Sequence, residues 1–94
     1  MKSVETRWET VFQKNYGTPK INIVSGKGCY VITDEKRRYL DFIGGIATNI
    51  LGQAHPTIVK AVRKQIGVLG HVSNLYASYA SMELAEKLIE MTGR

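Results

Sequence analysis

The stretch LDFIGGIATNILGQAHP, residues 40–56, restricts what this chain can fold into more than any other. It is an apolar run that ought to be a strand or a helix, yet Gly44, Gly45 and Gly52 interrupt it. Glycines at such places admit positive φ and let another group approach the backbone closely, at a cost in chain entropy. Either the fold turns sharply here or something sits against this backbone. The run closes on His55-Pro56, and Pro56 suits the first turn of a helix, where its missing N–H does no harm.

Around that segment the elements are short. Ser3 is placed to cap a first helix, with Glu5 and Glu9 near its positive end and Val4, Trp8, Val11 and Phe12 on one stripe. Tyr16-Gly17-Thr18-Pro19 is turn chemistry, so this helix should fade near Asn15. Ile21 to Val24 is expected to be extended and Gly26-Lys27-Gly28 to turn. Cys29–Thr33 is rich in strand formers, Asp34-Glu35-Lys36 should reverse the chain, and Arg38–Phe42 should return as the hairpin partner. From Pro56, Ile58, Val59, Val62, Ile66 and Leu69 form one helix face, Lys60, Arg63 and Lys64 the other, with Gly70 at the end. His71–Tyr76 is an irregular connector. A last helix starts at Ser78 or Ser81, turns Leu84, Ala85, Leu88 and Met91 inward, pairs Glu83 with Lys87, and stops at Gly93. A helix, a β-hairpin and two helices make an α+β piece whose apolar faces have no obvious partner within 94 residues.

Several function classes fall away on these residues. The net charge of +5 comes from scattered lysines and arginines without the clustered, aromatic-interleaved pattern of a nucleic-acid binder. The longest uncharged stretch, Phe42–Val59, carries Gln, Asn, His, Pro and three glycines, which is no membrane span. A single cysteine, Cys29, excludes an internal disulfide and favours a reducing compartment, so a cytoplasmic location is expected. Two histidines without a second cysteine or gathered carboxylates give no metal set, and His55 is expected to cap or to meet an interface. Gly26-Lys27-Gly28 lacks the following helix that would supply phosphate donors. A catalytic triple of Ser73, His71 and Asp41 exists only on paper.

Four motifs in order go further: NYGTP, then GKG followed by YLDF, then GGIATNILGQAHP, then a basic helix ending in GHVSNLY. Together they resemble the N-terminal region of class III pyridoxal-phosphate aminotransferases, from about Arg7 to the end, and most of all the acetylornithine branch. Two local departures are Glu35-Lys36 where relatives place an acidic residue and Gly, and Gln53 where they place His. The resemblance implies a fold-type I transferase, of which residues 1–94 are the N-terminal small-domain segment. It implies pyridoxal phosphate as cofactor, an amino-acid substrate with 2-oxoglutarate as acceptor, and a homodimer. It also implies that the Schiff-base lysine lies elsewhere, because none of the lysines here has the right context. The chain alone is thus expected to be a catalytically inactive fragment with no catalytic residue of its own.

Within the resemblance, Ile46 matches a position touching the substrate side chain, which is Tyr in ornithine aminotransferases. An aliphatic residue there leaves room for an acylated amine. Tyr16 matches a second substrate-binding position, with packing on the first helix as the alternative. Ser73, Asn74 and Tyr76 correspond to the pocket edge or subunit interface, or serve only to satisfy loop backbone. Three accounts therefore stay open: an acetylornithine aminotransferase segment, a segment of an ornithine or other ω-amino acid aminotransferase, and a non-catalytic dimerisation module. A small basic nucleic-acid module is the weakest competitor.

Overall fold

The computed structural model describes residues 1–94. They fall into two compact units, Met1–Lys60 and Ala61–Arg94.

The first unit opens with α1, Val4–Val11, capped by Ser3, whose Oγ accepts the Thr6 N–H at 3.2 Å. The helix ends at Val11, earlier than its turn chemistry suggested, with Phe12 already extended. Trp8 and Phe12 stack with ring centroids 4.2 Å apart, which accounts for half of the anticipated stripe.

A three-stranded antiparallel meander follows: β1 (Ile23–Lys27), β2 (Tyr30–Thr33) and β3 (Arg38–Leu40), in that order across the sheet. The expected two-stranded hairpin is thus extended by β1, and Gly26-Lys27 lies in a strand rather than a turn. The reversal occurs one residue later: Lys27 pairs with Tyr30, leaving Gly28-Cys29 as the loop. Two-residue loops of this kind accept a glycine at positive φ in first place, and Gly28 has φ +58°. A bulge between Ile23 and Ser25 shifts the register of the same strand.

The second reversal, at Asp34–Lys36, was placed correctly. Lys36 N–H donates to Thr33 O at 2.9 Å and Thr33 N–H to Arg37 O at 3.0 Å. Lys36 adopts φ +63°, the left-handed position that closes a three-residue hairpin loop and that glycine fills most readily. Only Val31 (7% exposed) and Thr33 (5% exposed), both facing inward from β2, are buried.

After β3 the chain enters a short turn, α2 (Gly44–Ala47), which the sequence did not foretell. Pro56–Ile66 forms α3. His55 caps it, its Nδ1 accepting the Thr57 N–H at 3.2 Å, so the capping role assigned to that histidine holds. The helix stops at Ile66, short of Gly70, and Gln65 O collects the N–H groups of Val68 and Leu69.

In the second unit, α4 covers Tyr79–Thr92. Ser78 is its N-cap, and Gly93 ends it at φ +70° by donating its N–H to Ile89 O. Lys87 pairs with Glu90 at 2.7 Å rather than with Glu83, an exposed contact of little energetic weight. Leu84, Leu88 and Met91, which periodicity marks as inward, are exposed. No helix is long and apolar enough to cross a membrane.

Candidate functional site

The glycine-rich segment is built from its backbone outward. Gly44, Gly45, Ile46 and Ala47 have φ of +56°, +66°, +64° and +58°, so α2 is one left-handed turn. Ala47 N–H donates to Ile43 O and Thr48 N–H to Gly44 O, both at 2.9 Å, closing it. Glycine tolerates this hand freely, whereas other L-residues meet their own Cβ, at about 1–2 kcal/mol each. A β-branched residue at positive φ is a genuine outlier, and Ile46 is one. Such strain persists only where surrounding contacts over-determine it, and it gathers at functional sites. Here the strain presents a large apolar side chain outward, with Ile46 85% exposed.

Two side chains hold the turn. Asp41 Oδ1 accepts the N–H of Ile43 at 3.0 Å and of Gly44 at 2.9 Å. Thr48 Oγ1 donates to Gly45 O at 2.9 Å. Asp41 is itself fixed to the meander, its N–H donating to Cys29 O at 2.7 Å. The Gly44 N–H, supported by those of Ile43 and Gln53, holds the Asp41 carboxyl below its ordinary value of 3.8 against a smaller desolvation effect. Because the folded value is the lower one, the ionised cap is present above the ordinary value and is lost as pH falls through the lowered one.

Beyond the turn the chain folds back over the first hairpin. Gly28 and Gln53 exchange both backbone hydrogen bonds, at 2.9 and 2.8 Å. Gly52 has φ +82°, and a Cβ there would stand 2.7 Å from the Gly28 carbonyl oxygen. A Cβ on Gly26 would lie 2.7 Å from Gln53 Cγ. Close approach is therefore what these glycines serve. Gln53, flagged as a departure, lays its stem on β1 and directs Nε2 towards Asp41 Oδ2 at 3.5 Å.

The remaining candidates are more separate. Tyr16, 80% exposed, follows α1 and lines a shallow cavity with Trp8 and Phe12. Ile46 does not share that cavity. Ser73, Asn74 and Tyr76 belong to the other unit. Ser73 has φ +61° and its Oγ accepts the Leu75 N–H at 3.1 Å, while Tyr76 is exposed. Asp41 and Gln53, which organise the segment, were missed as site residues. The available signal was the Asp two and three residues ahead of two apolar-flanked amides, a spacing at which a carboxylate folds back on its own backbone.

The sequence profile described as aminotransferase class-III matches residues 11–94, and the chain belongs to that family. It is 50% identical over 91 residues to acetylornithine aminotransferase of Mycobacterium leprae, which covers 97% of this chain and 22% of that protein. Among solved structures it is similar to the acetylornithine aminotransferase from Elizabethkingia anophelis. The TM-score is 0.85 at 25% identity, covering 94% of this chain and 23% of that one. It is also similar to an ω-transaminase from Pseudomonas jessenii in complex with PMP, with a TM-score of 0.81 at 28% identity over 96% of this chain and 22% of that one. The chain thus spans about a fifth of the length of the relatives it matches, as a small mixed helix-and-strand piece of an aminotransferase fold.

Class-III aminotransferases use pyridoxal phosphate, and the residues present here do not fit that group by themselves. Every lysine side chain is on exposed surface. The one glycine-lysine-glycine run lies against Gln53, and the Gly28 N–H that a phosphate would need is taken by Gln53 O.

Proposed function

We propose that this chain is the N-terminal small-domain segment of an acetylornithine aminotransferase. The parent enzyme moves an amino group between N-acetylornithine and 2-oxoglutarate, as a step in arginine biosynthesis, and works as a cytoplasmic homodimer. One observation carries this: half of the residues agree, over nearly the whole chain, with a relative bearing that name. Pyridoxal phosphate supplies the amino-group carrier, held by residues outside these 94, and the segment itself contributes no catalytic group.

Its contribution is a wall of the donor pocket. Ile46, aliphatic and thrust outward by a left-handed turn, stands where the far end of the donor's side chain would lie. It leaves space for an acyl group and offers no hydroxyl to a free ammonium. Tyr16 is assigned to the same pocket as a substrate-binding residue. Ser73, Asn74 and Tyr76 are assigned to its edge or to the subunit interface.

The test is 2-oxoglutarate-dependent consumption of N-acetylornithine, with pyridoxal phosphate added, by the full-length protein and by the 94-residue chain. Turnover is expected for the first and none above background for the second. Turnover by the verified 94-residue chain would refute the assignment of the chemistry to residues elsewhere. A full-length protein indifferent to N-acetylornithine would refute the donor.

A further inference from the structure

The left-handed turn at Gly44–Ala47 has a cost and no internal means of meeting it. Ile46 and Ala47 carry no polar atom that could hold their own backbone in the left-handed region. The closing bonds come from the Ala47, Thr48 and Asn49 N–H groups and from Thr48 Oγ1, all at the exit of the turn. The N–H groups at its entrance, those of Ile43 and Gly44, point instead into one carboxylate oxygen at 3.0 and 2.9 Å. Charge-assisted bonds of this kind are shorter and about twice as strong as neutral ones. Asp41 is also half-buried and tied at its own N–H to Cys29 O at 2.7 Å, so the oxygen is presented from a fixed strand end. Gln53 Nε2 approaches the second oxygen at 3.5 Å from the chain that returns over the hairpin.

We infer that Asp41 is a positioning residue: by gathering the Ile43 and Gly44 N–H groups it fixes the left-handed turn and so sets where Ile46 stands against the donor. The inference rests on the donor-pocket assignment of Ile46 made above. Asp41 touches neither donor nor cofactor in this scheme. It acts through the backbone of Ile43–Ala47, which makes donor preference, rather than the chemical step, the quantity it controls.

That route predicts a coupling between two residues. Glycine at position 46 adopts positive φ without strain, so a turn carrying it needs no clamp and presents no side chain to misplace. The loss of Asp41 should then cost nothing in preference. The experiment uses the full-length protein loaded with pyridoxal phosphate, and reads kcat and KM separately for N-acetylornithine and ornithine. The variants are Asp41→Ala, Asp41→Asn, Asp41→Glu, Ile46→Gly and Asp41→Ala with Ile46→Gly, each with its melting temperature. Asp41→Ala should shift the ratio of kcat/KM between the two donors by about tenfold, mostly through KM, the size expected when one pocket contact is misplaced. Asp41→Asn retains an acceptor oxygen at the same reach and should stay within about threefold of the parent. On the Ile46→Gly background, Asp41→Ala should move the ratio less than about twofold, the signature of residues that act through one another. A ratio unmoved by Asp41→Ala, or moved equally on both backgrounds, overturns the inference. If Asp41→Ala does not fold, Asp41→Glu carries the same comparison, because its longer stem displaces the acceptor while keeping the charge. Should the parent prefer a different amine, the donor assignment fails on that measurement alone. The ratio is then taken between that amine and N-acetylornithine, and the Asp41 test stands or falls separately.

Discussion

The segment from Ile23 to Gln53 and the helix Tyr79–Thr92 reach order by different means. The first satisfies its backbone within itself: three paired strands, a left-handed turn on a carboxylate, and a Gly28–Gln53 bridge that closes the return. Its side chains bury little, yet its backbone geometry leaves few alternatives. The second is well formed by caps and propensity, but its apolar side chains are exposed. Conformation is thus settled locally in one region by backbone sterics, while in the other it awaits surface from elsewhere. A substitution that changes backbone freedom should be felt in the first region whatever surrounds it. One that changes apolar area should be felt in the second only when that surface is present.

The largest separation should come from Gly52→Ala in the full-length protein. The new Cβ would meet the Gly28 carbonyl, a backbone atom that cannot swing aside, at a residue with φ +82°. A loss of about 3 kcal/mol is expected, at the upper end of ordinary single substitutions. Urea-midpoint measurements check it, and a loss within 1 kcal/mol would mean that the return over the hairpin is loosely held.

Next is Ile46→Tyr, which tests function rather than fold. The phenol would fill the space assigned to the acyl group and offer a hydroxyl to free ornithine. The ratio of kcat/KM for the two donors should swing by about tenfold or more, roughly 1.4 kcal/mol. An unchanged ratio with a lowered melting temperature would return Ile46 to a packing role.

Lys36→Gly should stabilise. A non-glycine at φ +63° costs about 1–2 kcal/mol, and the added chain entropy of glycine returns about 0.5–1 of it, leaving a gain of about 0.5–1 kcal/mol. A rise of a few degrees in melting temperature checks the sign, and a fall would show that the Lys36 stem contributes packing.

The smallest effect is expected for Leu88→Ser in the 94-residue chain. Leu88 is half-exposed there, so the transition should move by less than about 0.5 kcal/mol, while binding of a hydrophobic dye and self-association both decrease. The same substitution in the full-length protein should cost several times more if this face is covered there. Equal small effects in both would leave the face exposed in the parent, against the contrast drawn above.

Legibility in the sequence follows the same division. The cap at Ser3, the stop at Gly93 and the reversal at Asp34–Lys36 rest on short-range chemistry and were placed correctly, and the caps at His55 and Ser78 each realise one of two alternatives that the sequence left open. The extended start of β1 was expected over Ile21–Val24, but its continuation to Lys27 was not, because Gly26-Lys27-Gly28 has turn composition and Gln53, twenty-seven positions on, lies over Gly26. The left-handed turn was hidden for a stronger reason. Gly44 and Gly45 announce conformational freedom, but isoleucine and alanine are among the last residues one would assign to that hand. Their placement depends on Asp41 and on the closing bonds, not on their own preference. For the site, Ile46 is assigned through family resemblance alone, while Asp41 and Gln53 were noticed only in a dismissed triple and as a local departure.

The two glycines that meet the returning chain do not face the same obstacle, and this orders the substitutions a descendant sequence could accept. What blocks a methyl at position 26 is the stem of Gln53, a flexible side chain. Because Gln53 Cβ would itself stand 2.8 Å away, only glycine at 53 opens that room, and the Tyr30 carbonyl oxygen at 3.2 Å must still give slightly before alanine at 26 is tolerable. What blocks a methyl at 52 is the carbonyl of Gly28, which no replacement can trim. Position 26 can therefore drift in step with 53, in a fixed order of events, while position 52 stays locked unless the chain abandons this path over the hairpin.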